Sequence, residues 1–146
     1  MYVHFIKPVC DWLIALIAFP FFCIIWLCVA TAIKLEDGGP VFYMAERIGK
    51  DSKKLMMYKF RSMKVNAENI TNPDGSTYNA KDDSRVTKVG KFLRETSLDE
   101  TAQILNILKG EMSLIGPRAS GWSALESYQP DEVHKMNVRP GLSGYT

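Results

Sequence analysis

The stretch Ser97–Arg118, SLDETAQILNILKGEMSLIGPR, has the pattern of a helix with a defined start and a defined end. Ser97 is followed three residues later by Glu100, the S-x-x-E pattern of a capping box, in which two side chains satisfy backbone N–H groups of the first turn. Apolar residues then recur at helical spacing. Gly110 is the residue type that ends a helix in the left-handed conformation. We therefore predict a helix between Ser97 and Gly110.

Asp99 and Glu100 lie in the first turn of this predicted helix, and two interpretations of the pair remain open. The free N–H groups and the dipole of a helix N-terminus favour negative charge, so both acids can be capping residues. Alternatively, one carboxylate acts as a nucleophile and the other as a metal ligand or orienting group. A facing acid–base couple is disfavoured, because adjacent helix residues diverge by about 100°. We expect the helix N-terminus to lower the pKa of Asp99 below its ordinary value of about 3.9.

The apolar residues of the chain are concentrated near its N-terminus. The 146 residues carry a net charge of +2, which gives no case for binding nucleic acid. Trp12–Ile33 contains no charged residue. As a straight helix this run would reach roughly 33 Å, enough to cross a bilayer core of about 30 Å. We predict that it lies in a membrane.

Pro20 lies near the middle of the apolar run and has no N–H to donate to a helix. Two arrangements are compatible with the residues: a kinked helix that spans the bilayer, or a helix–break–helix hairpin that enters and leaves by one face. The charges that flank the run, Lys7 and Asp11 before it and Lys34 and Glu36 after it, do not choose between the two.

The segment after the apolar run predicts a small β-hairpin. Short strands are indicated at Val41–Tyr43 and Leu55–Phe60, with a turn at Gly49–Ser52 between them. Lys59 and Arg61 alternate onto one side of the second strand. They are candidates for holding a phosphate of a substrate, or for attracting anionic lipid headgroups.

Two further elements follow the hairpin. Residues 66–84 are polar and turn-rich, and they predict an exposed loop. A helix is expected to begin near Arg85 and to carry Arg94 toward its end. On physical grounds alone Arg94 is a favourable charge at the negative end of that helix.

Several motifs, taken together and in order, carry more information than any one of them. They are Gly39–Phe42 (GPVF), Arg47–Lys50 (RIGK), Tyr58–Met63 (YKFRSM), Asp83–Arg94 (DSRVTKVGKFLR), Ser97–Glu100 (SLDE), Asn106–Arg118 (NILKGEMSLIGPR) and Val138–Gly141 (VRPG). In this order and spacing the chain resembles the bacterial sugar transferases, the monotopic phosphoglycosyl transferases that act on polyprenol phosphate. The resemblance runs from about Lys7 to the last residue.

The resemblance implies an α+β fold whose two parts form a single functional unit. Residues 1–36 would be a re-entrant membrane helix hairpin broken at Pro20. Residues 37–146 would be a mostly helical catalytic domain with a small β-hairpin. Both termini would then face the cytoplasm at the inner membrane of a bacterium, in contact with bilayer lipid, and a homo-oligomer is compatible with this arrangement.

The resemblance also implies an activity. It is the transfer of a sugar 1-phosphate from a UDP-sugar to polyprenol (undecaprenyl) phosphate, the first membrane step of polysaccharide assembly. In the family's pattern Asp99 is the nucleophile and forms a covalent aspartyl phosphosugar intermediate. Glu100, with or without Asp99, would bind Mg²⁺. The candidate phosphate-binding residues are Arg118, Arg94 and Arg139 from the family's pattern, together with the strand residues Lys59 and Arg61.

Two other functions remain open: a non-catalytic, membrane-anchored scaffold of the same fold, and a hydrolase that cleaves the UDP-sugar without lipid. The chain also departs from the family's pattern. Thr101 and Ala102 follow the acidic pair where Leu-Pro is usual, Ala119 replaces a proline, and Tyr145 replaces a tryptophan. The chain ends at Thr146 where the family continues, so we expect a truncated or a naturally short form.

Overall fold

The computed structural model describes residues 1–65, 67–68, 70, 72–73, 83–122, 129–130 and 132–145. The chain mixes helices and strands, as predicted. In chain order the elements are α1 Lys7–Glu36, β1 Phe42–Ile48, β2 Lys54–Phe60, α2 Lys88–Thr96, α3 Ile104–Leu108, β3 Ser113–Pro117 and β4 Gly141–Tyr145. A π-helical turn, Tyr2–Ile6, precedes α1, and 3-10 turns lie at Lys50–Ser52, Leu98–Gln103 and Glu132–Asn137. The predicted loop at 66–84 lies largely outside the described residues.

Helix α1 continues through Pro20, so the structure shows neither the predicted break at this residue nor a re-entrant hairpin. A proline removes one backbone hydrogen bond and crowds the preceding turn, but a helix of 30 residues keeps its other bonds on both sides of that position. The segment His4–Glu36 is long and apolar enough to cross a bilayer, by length and composition.

One narrow stripe of α1 packs against the rest of the chain. Its buried residues are Asp11, Ala15, Phe22, Val29 and Ile33. The other faces of the helix are also apolar but exposed, and they include Ile17, Phe21, Ile24 and Leu27. A helix that is apolar on all sides and packed on only one requires an apolar environment on the others. The exposed faces of α1 are therefore suited to lipid.

The core forms where α1 crosses the hairpin of β1 and β2. The hairpin predicted from the sequence is confirmed: the strands pair antiparallel, with Phe42 opposite Phe60. The rings of these two residues stack with 5.4 Å between centroids, and the ring of Phe22 on α1 lies 6.0 Å from that of Phe60. Complete burial of one such side chain contributes roughly 1.5–3 kcal/mol. These rings therefore hold α1 on the hairpin.

Polar contacts attach both ends of α1 to the globular part of the chain. Near its start, the carboxylate of Asp11 accepts a hydrogen bond from the hydroxyl of Ser113 at 2.5 Å. At its last residue, the carboxylate of Glu36 accepts from the backbone N–H groups of Lys88 and Val89, at 2.8 and 3.0 Å. Those N–H groups begin α2 and have no partner within that helix, so Glu36 caps α2 from a different element.

Arg61 has a structural role that the sequence analysis did not predict. Its buried guanidinium donates to the carboxylate of Asp37 at 2.5 and 2.8 Å, and to the carbonyl oxygens of Pro40 and Met63 at 2.6 Å each. The hydrogen bonds from Arg61 lower the pKa of Asp37 to about 2. The planar fork of Arg61 is thus already engaged within the protein, which argues against its predicted role as a phosphate ligand.

A second sheet, which was not predicted, joins β3 and β4 in parallel, with Ser113 opposite Gly141 and Gly116 opposite Gly144. The two backbones are in close contact: a Cβ added at Gly141 would lie 2.1 Å from the backbone nitrogen of Gly116. Only glycine permits this approach. The Gly-Pro-Arg and Arg-Pro-Gly segments therefore meet at one place in the fold.

We expect Arg61→Ala to lower the free energy of unfolding by about 2–4 kcal/mol, because it removes the donor to Asp37 and to two carbonyl oxygens. Arg61→Lys keeps the charge without the planar fork and should lose part of that amount. The exposed Lys64→Ala, three residues away, is the control and should change little. Denaturant unfolding in detergent measures all three, and an Arg61→Ala protein as stable as the wild type would contradict the structural role.

Candidate active site

The acidic pair lies on a tight 3-10 turn that follows α2 directly. Ser97 ends α2 in the left-handed conformation, with φ of 59°, and its side chain makes no capping bond. The predicted capping box is therefore wrong, because a residue that ends one helix in this way cannot take the extended conformation of an N-cap. The single predicted helix is instead the turn Leu98–Gln103 followed by the short α3. Gly110 has φ of 79°, as predicted for the residue that ends it.

Asp99 is partly buried, and burial raises the pKa of its carboxyl group. The negative charge of Glu100 raises it further, whereas the charges of Lys59 and Arg94 lower it. The expected lowering of this pKa is therefore wrong, because desolvation outweighs the favourable charges. A desolvated carboxylate beside specific charged partners is characteristic of functional sites.

Two cations from separate elements flank the acidic pair. Lys59, near the end of β2, places its Nζ 3.6 Å from Oε1 of Glu100. Arg94, in the last turn of α2, donates its Nε–H to the hydroxyl of Ser62 at 2.9 Å and acts electrostatically on Asp99. A strand, a helix and the turn that follows the helix thus bring four predicted site residues together: Asp99, Glu100, Lys59 and Arg94.

Asn106, which is completely buried, fixes β2 against α3. Its amide nitrogen donates to the Met56 carbonyl at 2.9 Å and to the Glu111 carboxylate at 2.8 Å, and its amide oxygen accepts from the Tyr58 N–H at 2.9 Å. The side chain therefore binds the backbone of β2 immediately before Lys59. The sequence analysis missed this residue, although a lone amide within the apolar run ILNIL is a usable signal.

Arg118 and Arg139 belong to other parts of the surface. Arg118 lines a small cleft with Ile48 and Lys135, and Arg139 lines a larger cavity with Lys7. Within the part of the chain that the structure describes, neither arginine forms an ion pair with the acidic pair. Their assignment to phosphate binding stays a prediction, and the charges that act on Asp99 come from other residues.

The acidic pair fits a magnesium ion only together with a substrate. Among the described residues, no three His, Cys, Asp or Glu side chains are grouped to hold a metal. Asp99 and Glu100 offer two neighbouring carboxylates. Mg²⁺ in proteins commonly takes one or two carboxylates and completes its shell with water and substrate phosphate oxygens. The donor set is thus of the kind that phosphate-bound Mg²⁺ uses.

A family model described as bacterial sugar transferase matches residues 2–146 of the chain. The chain belongs to this family. The motifs that suggested the resemblance include the residues at the site: the SLDE segment holds Asp99 and Glu100, and Lys59 and Arg94 lie in two of the other matching segments.

Individual bacterial sugar transferases are similar along most of the chain. The UDP-N-acetylgalactosamine-undecaprenyl-phosphate N-acetylgalactosaminephosphotransferase of Aeromonas hydrophila is 42% identical over 144 residues, 97% of this chain. The UDP-glucose:undecaprenyl-phosphate glucose-1-phosphate transferase of Escherichia coli K12 is 41% identical over 136 residues, 91% of the chain. The exopolysaccharide production protein ExoY of Rhizobium meliloti is 39% identical over 145 residues, 92% of the chain. In the same order, the chain spans 33%, 28% and 64% of these curated relatives.

We expect Asp99→Asn to stabilise the fold at neutral pH, raising Tm by roughly 1–3 °C. Because the folded-state pKa of Asp99 is raised, ionisation of this carboxyl group costs stability, and the cost appears as pH rises through the folded pKa. Below the unfolded pKa of about 3.9 the acid is protonated in both states, so the advantage of the variant should disappear. Thermal unfolding as a function of pH measures this, with the exposed Glu95→Gln as control. A destabilised Asp99→Asn protein at neutral pH would contradict the effect of burial.

Proposed function

We propose that the chain transfers a sugar 1-phosphate from a UDP-sugar to polyprenol phosphate. The observation that carries the proposal is the partly buried Asp99, with a raised pKa, beside Glu100, Lys59 and Arg94. The names of the Aeromonas and Escherichia relatives agree on undecaprenyl phosphate and differ in the sugar. We therefore propose undecaprenyl phosphate as the acceptor and assign no particular sugar.

In the first proposed step, a carboxylate oxygen of Asp99 attacks the phosphorus that carries the sugar. The bond from that phosphorus to the bridging oxygen breaks, and UMP leaves with the electron pair. In the second step a phosphate oxygen of the lipid attacks the same phosphorus, and the Asp99 carboxylate leaves. A carboxylate nucleophile divides one difficult displacement between two anions into two steps with a positioned attacker. Burial supports this role, because a poorly hydrated carboxylate is a stronger nucleophile once it is ionised.

The charges around Asp99 support the same chemistry. Attack of an anion on a diphosphate requires neutralisation of the phosphate oxygens. Lys59 and Arg94 already act on the acidic pair, and each is held by its own element, so we assign them to these oxygens. Glu100, with or without Asp99, would hold Mg²⁺, which supplies further positive charge at the diphosphate when bound. Neutralisation of the diphosphate by Lys59, Arg94 and Mg²⁺ does not require Arg118 or Arg139.

We also propose that α1 lies in the cytoplasmic leaflet of the bacterial inner membrane, with the globular part and both ends of α1 on the cytoplasmic side. Contacts at the two ends support a one-sided arrangement, since Asp11 and Glu36 both bind the same globular part. A helix that crossed the bilayer perpendicularly would carry one of these ends to the opposite face. Although α1 is continuous in the structure, we propose that in a bilayer it bends at Pro20, where the helix lacks one backbone hydrogen bond, and forms a re-entrant hairpin.

Intact-protein mass after incubation with UDP-sugars and Mg²⁺, without lipid, tests the chemistry. We expect an added sugar-phosphate mass on the wild type that is absent in Asp99→Asn, and loss of turnover by at least about 10³-fold in that variant. The exposed Asp51→Asn is the matched control and should keep the adduct. No adduct with any donor would favour the scaffold, and UMP release that needs no lipid and continues without a stable adduct would favour the hydrolase.

Cysteine labelling in sealed vesicles tests the one-sided attachment. In a protein whose Cys10, Cys23 and Cys28 are replaced by serine, Tyr2→Cys and Lys91→Cys place single thiols at the exposed N-terminus and on exposed α2. A membrane-impermeant maleimide should label both thiols from the same side, with Lys91→Cys as the reference for orientation. Labelling of the two thiols from opposite sides would establish a spanning helix and overturn this part of the proposal.

A further inference from the structure

A cavity of about 270 Å³ lies at the N-terminal end of α1, apart from the acidic pair. It forms between the first residues of the chain, the turn after β1 and the strand β3. It shares no lining residue with the group formed by Asp99, Glu100, Lys59 and Arg94. The charged or titratable side chains that line it, among the described residues, are Tyr2, His4, Lys7, Asp11, Lys50 and Arg139.

The cavity has an excess of positive charge. Among the residues that the structure describes, Asp11 supplies the carboxylate of the lining, and it is already engaged by Lys7 at 2.9 Å and by the hydroxyl of Ser113 at 2.5 Å. Lys50 and Arg139 line the same space, and within the described part of the chain neither has an ion-pair partner. Two uncompensated cations around one concave space provide electrostatic complementarity to an anion, and the arginine offers the planar fork that suits phosphate.

The lining also contains apolar residues such as Pro8 and Val138, beside the polar Ser113 and Asn137, and the cavity adjoins exposed apolar surface. Ile115, which lines the cavity, is 62% exposed. Phe5 is 69% exposed, and Val9, at the start of α1, is 46% exposed. Phe5 precedes α1 and Val9 lies in its first turn. Both are thus at the N-terminal end of the helix whose exposed faces are suited to lipid. An anion with a hydrocarbon chain can therefore place its charge in the cavity and its chain along this surface.

We propose that this cavity binds the phosphate headgroup of an anionic membrane lipid. A soluble nucleoside diphosphate would satisfy Lys50 and Arg139 equally well, but it would gain nothing from the apolar surface around Phe5 and Val9. An anionic lipid would contact both the two cations, through its phosphate, and the apolar surface, through its hydrocarbon chain. The site is a lipid-binding site on the protein rather than part of the reacting centre, and it does not depend on the proposed transfer reaction.

Lys50 and Lys53 provide a matched pair of variants. Both lysines lie in the turn between β1 and β2, but Lys50 lines the cavity, whereas Lys53 is exposed and does not. Lys50→Gln and Lys53→Gln therefore remove the same charge from the same loop. General attraction to a negative bilayer depends on both lysines about equally, while a built site depends on Lys50.

The experiment uses the full chain in nanodiscs of phosphatidylcholine that contain a minority of phosphatidylglycerol, and native mass spectrometry counts the lipids retained. We expect one retained phosphatidylglycerol on the wild type. Its apparent affinity should fall about five-fold in Lys50→Gln, further in the double variant with Arg139→Gln, and by less than two-fold in Lys53→Gln. Undecaprenyl phosphate, added as a second lipid, should compete, because it also joins an anionic phosphate to a hydrocarbon chain.

Three results would overturn the proposal. Equal losses in Lys50→Gln and Lys53→Gln would show general surface attraction only. No loss in Lys50→Gln or in the double variant would show that the cavity does not hold the phosphate. Displacement of phosphatidylglycerol by UDP at concentrations that leave phosphatidylcholine in place would assign the cavity to the nucleotide instead of the lipid.

Discussion

The completely buried amide of Asn106 is the interaction on which the rest of the site depends. No water reaches it, so its two donors and its acceptor must be satisfied within the protein, because each unsatisfied buried group costs about 1–3 kcal/mol. They are satisfied by the backbone of β2 and by the carboxylate of Glu111. The strand can therefore occupy only one register against α3. Lys59, the next residue after this contact on β2, is in this way brought to Glu100.

Features that depend on local sequence were predicted correctly. The hairpin followed from β-forming residues on both sides of a short polar turn, and the positive φ of Gly110 followed from the position of a glycine after an apolar helical run. The acidic pair and the cations Lys59 and Arg94 were named as candidate site residues, and their roles stay predictions. Their grouping could be expected only from the family's pattern, because nothing in residue spacing brings a strand end to the turn after a helix.

Features that depend on tertiary contacts were not predicted. Ser97 has the sequence pattern of a capping box, but it is the C-cap residue of the preceding helix α2. Arg61 was a candidate phosphate ligand, but its guanidinium donates to the carboxylate of Asp37, 24 positions away. The pKa of Asp99 was expected to fall because the local dipole is visible in sequence, whereas the burial that raises the pKa is not. The parallel pairing of β3 with β4 joins segments whose close approach only the fold reveals.

The contact between Glu36 and the start of α2 also bears on how the protein can be handled. Glu36 is the last residue of α1, and it caps the helix that carries Arg94. Phe22 of α1 packs on Phe60 in the core. Cutting the chain after the apolar helix would therefore not release a soluble globular part: it would expose the ring cluster of the core and leave α2 with only the side-chain cap from Thr87. Purification has to keep the helix and provide it with detergent or lipid. The boundary between the apolar helix and the polar remainder of the sequence is not a boundary between folding units.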